Sequence, residues 1–259
     1  MTTARDEHLA RLRRLPRDAW EDDLRERSRL PGPRANLELL DAAVEVGDAT
    51  AFAAWRVAGA DGDGNDPATF VLVCGIVGLG RVVGGQPAAT RGAGLALLRA
   101  AAGDPRWRVR EAVAMALQRL GRVDPDGLLE VGRAWAAEDD PLLRRATVAA
   151  LAEPALLVRR SMVAGLIEVL EQATAGYAAA APDARRSPGS IALAKTLGYA
   201  WSVAIAAGPE RGWPAFERLV AAAQSDPGLR RVVRENLGKH RLRRLDPSRV
   251  ATLAARVSG

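Results

Sequence analysis

Six Asp-Pro dipeptides restrict the fold of this 259-residue chain more than any other feature of its sequence. Aspartate is a strong helix N-cap, because its carboxylate accepts hydrogen bonds from the free amides of the first turn. Proline at the next position lacks an amide hydrogen and already has a helical φ. Each dipeptide therefore predicts the start of a helix. The six capping residues are Asp66, Asp104, Asp124, Asp140, Asp226 and Asp246.

The segments behind these caps have the apolar spacing of amphipathic helices. In DPRWRVREAVAMALQRLG, apolar residues recur every three or four positions from Val109 to Leu120, and we expect this helix to end at Gly121. DPLLRRATVAAL and DPGLRRVVRENL align with it and carry Arg144 and Arg230 at matching positions. Aromatic residues are few, and β-branched residues mostly stand alone in Ala-rich stretches. The sequence therefore predicts an all-α chain with almost no sheet.

Helix starts recur along the chain with a period near 38 residues, which fits one pair of helices. One interval is longer, and its Ala-, Pro- and Gly-rich stretch 176–189 predicts an inserted loop. We expect capping helices and a turn at 1–34, with the helical pair between residues 4 and 28, and six or seven helical pairs over 35–259. The starts of the second helix in each pair are Asp66, Asp104, Asp140, Ser187 and Asp226.

This period, the Asp-Pro caps and the segment VREAVAMALQRLG resemble HEAT repeats, most strongly over residues 88–151 and 208–240. The resemblance implies an α-α superhelix (solenoid) of HEAT-like helical repeats, in which each pair stacks only on its neighbours. It also implies a ladder of Asp and Arg side chains that bond to adjacent repeats. The residues at these positions are Asp104, Arg110, Asp140, Arg144, Asp226 and Arg230.

The stretch GIVGLGRVVGG, Gly75–Gly85, raises the alternative of a dinucleotide-binding loop. Such a loop needs a strand, a G-x-G-x-x-G pattern and a helix N-terminus at the pyrophosphate. Gly78 and Gly80 fit the first two places, but Val83 stands at the third and no second strand follows. The stretch also fits a buried repeat helix capped by Asp66. We therefore expect a helix here and no cofactor. The side chains that this helix would bury are those of Phe70, Val71, Val73 and Val77.

Residues that carry metal or acid–base chemistry are sparse. Cys74 is the single cysteine, and His8 and His240 lie at opposite ends of the sequence, so we expect no disulfide and no zinc cluster. The acidic cluster Glu138–Asp140 fits a helix cap better than a general base. The charged N-terminus lacks a signal-peptide core, and the apolar run Phe70–Gly80 is too short to span a bilayer. We expect a cytoplasmic monomer without metal or membrane contact.

The excess positive charge lies at the C-terminal end. Residues 226–259 carry nine Lys or Arg against three Asp or Glu, a net charge of +6 that equals the net charge of the whole chain. On a helix from Pro227, the apolar residues turn inward and leave the cations outside. This distribution predicts contact with nucleic acid or another acidic partner, and the alternative is a solvated basic end that keeps the protein soluble. The predicted contact residues are Arg231, Arg234, Lys239, Arg241, Arg243 and Arg244.

Six tryptophans are spread at about one per repeat, which suits packing between helices. The alternative is that some aromatic rings face the concave surface of the superhelix and stack on a base or another flat ligand. The residues considered for such stacking are Trp107, Trp135, Tyr199 and Trp201.

The tract LAKTLGYAWSVAIAAGPERGWPAFERLV, followed by DPGLRRVVRENLGKHRL, resembles the late repeats of the alkylpurine DNA glycosylases that are built on HEAT-like repeats. In that family a Lys-x-x-Gly-aromatic stretch contributes an active-site tryptophan, and Tyr199 stands at that place here. The family also uses a Trp-Asp-x-x-Asp segment, for which this chain has no match. The resemblance therefore implies the fold and a basic DNA-facing groove, and it assigns no catalytic residue.

Three functions remain open from the sequence. The first is a non-enzymatic binding protein that grips an extended partner, with nucleic acid favoured by the basic C-terminal repeat. The second is a HEAT-like DNA glycosylase with a diverged active site. The third is a scaffold for other proteins that does not bind nucleic acid.

Overall fold

The computed structural model of this chain describes residues 2–257, which form helices joined by short turns, with no β-strand among them. The prediction of an all-α chain is therefore confirmed. The chain divides into two compact units, unit 1 (residues 1–123) and unit 2 (residues 124–259).

Unit 1 has a central helix that packs on most of the others. In its described residues, α5 contacts α2, α3, α4, α6 and α7, and α6 also packs on α7. Arg119 of α7 forms an ion pair with Asp41 of α3. The helices α3, α5 and α7 therefore form the core of the unit. The helices are α1 (Ala4–Arg14), α2 (Trp20–Arg27), α3 (Leu37–Val46), α4 (Ala49–Ala58), α5 (Pro67–Gly85), α6 (Gly92–Ala102) and α7 (Trp107–Val123).

Unit 2 has two rows of helices. In the first row α12 lies between α9 and α14 and contacts both. In the second row α8 contacts α10, α10 contacts α13, and α13 contacts α16. The short α15 packs on α12 and α16. The helices are α8 (Pro125–Ala137), α9 (Pro141–Leu151), α10 (Arg160–Ala179), α11 (Pro182–Arg185), α12 (Pro188–Ala207), α13 (Pro209–Ala222), α14 (Pro227–Leu237), α15 (His240–Leu245) and α16 (Pro247–Arg256).

The Asp-Pro dipeptides begin helices for the reason that the sequence suggests. Five of the six aspartates cap a helix, as Asp140 does when its Oδ1 accepts a hydrogen bond from the Leu142 amide at 2.7 Å. Asp104 is the exception, because its Oδ1 accepts from the Arg106 amide within a turn and α7 begins only at Trp107. The sequence predicts that α7 ends at Gly121, two residues before its observed end at Val123. The five aspartates that cap a helix are Asp66, Asp124, Asp140, Asp226 and Asp246.

The segment Gly75–Gly85 is the second half of α5 and is helical, as predicted. A helix bonds its own backbone amides from one turn to the next, so this segment does not form the open loop that cradles a pyrophosphate. A Cβ at Gly75 would lie 2.8 Å from the Phe52 carbonyl oxygen of α4, and one at Gly80 would overlap the Ala116 backbone of α7. The glycines therefore allow close helix packing. The predicted core residues Phe70, Val71, Val73 and Val77 are all buried.

Two helices are longer and more apolar than the sequence analysis expected. α5 has 19 residues and α12 has 20, and both are long and apolar enough to cross a membrane by length and composition alone. The run Phe70–Gly80, judged too short for this, is only part of α5. In the most apolar 18-residue stretch of each helix, 78% of the α5 residues and 61% of the α12 residues are buried inside the protein.

The stretch 176–189 was predicted as an inserted loop, and much of it is helical. α10 continues through Gly176 and the buried Tyr177 as far as Ala179, because alanine favours helix and the tyrosine ring packs in the core. Pro182 then starts the four-residue α11, and Ser187 caps α12 through a hydrogen bond from the Ser190 amide.

The predicted Asp–Arg ladder is present only in part. Asp226 accepts a hydrogen bond at 2.7 Å from Arg185, which lies 41 residues earlier at the end of α11. The predicted ladder arginines donate to carbonyl oxygens in the turn or helix end that precedes their own helices, and Arg144 also pairs with Asp139 at 3.4 Å. Arg110 donates to Asp104 O, Arg144 to Ala136 O and Arg230 to Gln224 O. These arginines therefore hold the turns between helices.

We predict that Gly80→Ala lowers the free energy of unfolding by about 1–3 kcal/mol, because the new methyl group overlaps the backbone of α7, which cannot move aside as a side chain can. Gly85→Ala is the matched control, since a Cβ there meets no atom within 4 Å. We expect the control to change stability by less than about 0.5 kcal/mol. Urea unfolding followed by circular dichroism measures both, and equal effects would contradict close packing at Gly80.

Candidate anion-binding surface

The surface begins on α14, whose apolar face is buried as predicted. Asp226 fixes the start of this helix: its Oδ1 accepts from the amides of Gly228 at 2.8 Å and Leu229 at 3.1 Å. Four apolar side chains then face the core, so the cations between them face outward. The buried residues are Leu229, Val232, Val233 and Leu237.

The Asp226 carboxylate is stabilised in its charged form. Partial burial by itself raises the pKa of Asp226, but the Leu229 and Gly228 amides and the Arg185 guanidinium outweigh burial and lower it below the ordinary value. Arg185 Nη1 donates to Asp226 Oδ2 at 2.7 Å, and its guanidinium also lies over the Tyr177 ring, 5.2 Å from the centroid. This contact joins α11 to the start of α14.

Beyond α14, four cations within six residues form what we call the C-terminal basic segment: Lys239, Arg241, Arg243 and Arg244. The segment is held by Leu242, a fully buried side chain on α15, which packs against α12. Lys239, His240, Arg241 and Arg244 line one shallow surface depression. Since positions three and four apart share a helix face, the short α15 places Arg241 and Arg244 on the same side.

The four side chains of the basic segment have no acidic partner among residues 2–257. Some other arginines of unit 2 pair across helices, as the half-buried Arg249 does with Glu217 at 2.7 Å and the exposed Arg218 with Glu171 at 2.6 Å. Four cations without an acidic partner therefore lie within six consecutive residues, on α15 and the residue before it.

The other two predicted contact residues are already engaged. Arg231 donates to Glu235 one turn later at 2.8 Å, and this hydrogen bond raises the pKa of Arg231. Arg234 donates from Nε to the Val257 carbonyl oxygen at 2.7 Å and so holds the end of the chain. Both side chains would have to share or release these bonds to contact a partner.

A second basic region, which the sequence analysis missed, is a groove of about 430 Å³ in unit 2 beside Tyr177 and α14. Arg185 is the last residue of α11, Arg186 follows it, and Lys195 lies on the exposed side of α12. Lys195 has no ion-pair partner among the described residues. These cations are separated from Arg231 by up to 46 positions in sequence, so only the packing of α12 against α14 brings them into one groove. The basic tract ARRSPG, which contains Arg185 and Arg186, was a sequence signal for two of these cations.

The predicted stacking residues divide between core and surface. Trp135 and Trp201 are 6% and 1% exposed, so they cannot stack on a ligand, and this alternative is wrong for both. Trp201 lies in the core because its ring packs near Phe216 and its Nε1 donates to Thr174 Oγ1 at 3.2 Å. Tyr199 is half-buried on α12. Trp107 is 50% exposed and lies in unit 1.

The described residues contain no group of three or more His, Cys, Asp or Glu side chains that could hold a metal ion. Burial raises the pKa of the Cys74 thiol far above its ordinary value, so this thiol remains protonated inside α5. Asp140, from the acidic cluster, caps α9.

No protein-family model, no curated protein and no solved structure matches this chain. The likeness to HEAT repeats and to HEAT-like glycosylases thus stays a prediction from sequence.

We predict that Asp226→Asn lowers the free energy of unfolding by about 1–2 kcal/mol at pH 7, because asparagine keeps the cap but loses the charge that pairs with Arg185. The folded-state pKa is lowered, so this stability is present above the unfolded pKa of about 3.9 and is lost as pH falls through the folded pKa. The difference from wild type should therefore shrink at about pH 3.

Urea unfolding at the two pH values measures this difference. The control is Asp183→Asn, which removes an exposed carboxylate from a surface pair with Arg186 and should cost less than about 0.5 kcal/mol. A deficit in Asp226→Asn that is the same at both pH values would mean that the charge of Asp226 does not stabilise the fold.

Proposed function

We propose that unit 2 binds the phosphate backbone of a nucleic acid, without catalysis, through the C-terminal basic segment. The observation that carries this proposal is that Lys239, Arg241, Arg243 and Arg244 lie within six consecutive residues and have no acidic partner among the described residues. Three of the four also line one shallow depression with His240.

The energetics favour an external anion at this segment. Arg241, Arg243 and Arg244 are exposed and Lys239 is half-buried, so contact with a phosphate breaks no internal ion pair and desolvates only the charge that the phosphate compensates. The arginines offer planar donors that match phosphate oxygens in pairs. Each contact also releases a counterion from the nucleic acid, with a log–log salt slope of about −0.9 per contact on duplex DNA.

The basic groove beside Tyr177 supplies a second contact region in the same unit. Lys195 and Arg186 are exposed at its rim, while Arg185 is held inside the structure by Asp226. The groove is lined by four cations, by Glu235, which pairs with Arg231, and by apolar carbons, and Arg186 pairs with Asp183. Such a lining contacts a backbone without reading bases. We therefore expect little sequence preference.

The other two functions remain proposals with less support. An acidic protein segment presents the same charges as a nucleic acid but at lower linear density, and it is the main competing partner. The glycosylase function has less support because Tyr199 stands at the position of the family's active-site tryptophan. The neighbouring aromatic ring, Trp201, is buried and cannot contact a base.

We predict that replacing Lys239, Arg241 and Arg244 together by glutamine weakens binding to a 20-base-pair duplex at least tenfold at low salt and reduces the magnitude of the salt slope by up to about 2.7, since three phosphate contacts are lost. Fluorescence anisotropy at four salt concentrations measures the affinity and the slope. Circular dichroism checks that the variant stays folded, which the exposed or half-buried positions favour.

The control is a variant with the same change in charge, Arg159, Arg160 and Arg211 to glutamine. These arginines are also exposed in unit 2 and have no ion-pair partner among the described residues. If the control variant weakens binding as much as the first variant, the interaction is a response to net charge alone. If the wild type binds no duplex at low salt but binds an acidic peptide, the protein-scaffold function takes its place.

A further inference from the structure

Unit 1 contains a cleft of about 520 Å³ that the proposed function does not use. It lies between α3, α5, α7 and the turn that precedes α3. Its volume is in the range of pockets that enclose small organic molecules, about 300–1,000 Å³. Most of its lining is apolar, and it includes the buried side chains of Leu30, Leu40, Phe70 and Val73.

Two of the exposed large apolar side chains of the protein line this one cleft. Trp107 is 50% exposed and Leu37 is 55% exposed, whereas the other five tryptophans are at most 6% exposed. An indole ring loses a large favourable burial energy when it remains in water. The cleft therefore presents apolar surface that a ligand would cover.

The Trp107 ring packs against a guanidinium group that is itself fixed by hydrogen bonds. The buried Arg108 guanidinium lies 4.4 Å from the centre of the Trp107 ring. Arg108 in turn donates to the Gly64 carbonyl oxygen at 2.9 Å and to the Gly32 carbonyl oxygen at 2.6 Å. A side chain fixed in this way loses little conformational entropy when a flat group packs on it.

The charged groups around the cleft leave one cation without a partner. Arg29 lies 3.7 Å from Glu38, Arg108 is bonded to carbonyl oxygens, and Glu111 is engaged in another contact. Arg34 is exposed and has no ion-pair partner among the described residues. The cleft thus combines an apolar floor, one fixed aromatic ring and one available guanidinium.

We propose that this cleft binds a small, flat aromatic anion, with its ring against Trp107 and the apolar floor and its carboxylate at Arg34. The aromatic part matches the rigid indole and the apolar lining, and the anionic group matches the cation that lacks a partner. Each acid that lines the cleft already has a partner, so neither supplies a free site for a cationic ligand.

The probe is 2-naphthoate, and its control is 2-naphthamide, which has nearly the same shape but no charge. Calorimetry should give a saturable one-to-one isotherm for naphthoate and at least fivefold weaker binding for the amide. In a ¹⁵N-labelled protein, naphthoate should shift one of the six indole N–H signals, and the Trp107→Leu variant should lack that signal. Shifts spread over several of the buried tryptophans, or no saturable binding, would overturn the proposal.

Variants separate the two parts of the site. Trp107→Leu should weaken naphthoate and naphthamide about equally, by roughly tenfold, because both lose the ring contact. Arg34→Gln should weaken naphthoate at least fivefold and leave naphthamide within twofold, since only the anion uses the guanidinium. Arg122→Gln, which changes another exposed arginine near the far end of α7, should leave both affinities unchanged.

The exposed positions of Trp107, Arg34 and Arg122 make these variants compatible with folding, and thermal unfolding checks this. Equal binding of the acid and the amide, or equal effects of Arg34→Gln and Arg122→Gln on naphthoate, would overturn the anion site.

Discussion

Burial of helices on more than one side is the constraint on which the rest of this structure depends. α5 packs on five other helices of unit 1 and α12 packs on at least five other helices of unit 2, so neither could bury its apolar surface within a single helical pair. Such packing demands close approach, which explains the glycines at positions 75, 78 and 80 of α5. A motif that resembles a cofactor loop in the sequence is thus a set of contact points between helices.

Arginine has two distinct roles in this protein, and the difference lies in its partners. The chain has 37 Lys and Arg residues, and many of the guanidinium groups bond to backbone carbonyl oxygens at turns. Arg81, for example, donates to the carbonyl oxygens of Val44, Glu45 and Gly47 at the end of α3. Because unpaired carbonyls at helix ends are costly when buried, these arginines stabilise the connections between helices. Cations that have neither a carbonyl oxygen nor an acidic side chain as partner are the candidates for contact with other molecules.

The two candidate sites differ in chemistry for a structural reason. The C-terminal basic segment lies on a short helix held by one buried leucine, so most of its side chains extend into solvent. The cleft of unit 1 lies between α3, α5 and α7, whose buried side chains provide an apolar floor, while Leu37 and Trp107 are exposed at it. The first arrangement suits contact with a long charged polymer, and the second suits enclosure of a small molecule.

Local signals in the sequence determined where the helices begin and which faces they bury. An Asp cap acts on amides two or three residues away, and the spacing of Val109, Val113 and Leu117 defines a face of its own helix, so both can be read without a neighbour. The inward side of α14 was predicted for the same reason.

Only the tertiary structure decided which rings and cations remain available. Trp107 is exposed while Trp201 is buried, and Arg34 is available while Arg108 is bonded to Gly32, 76 residues earlier. Those outcomes depend on helices that are distant in sequence, and no local pattern encodes the distance between them.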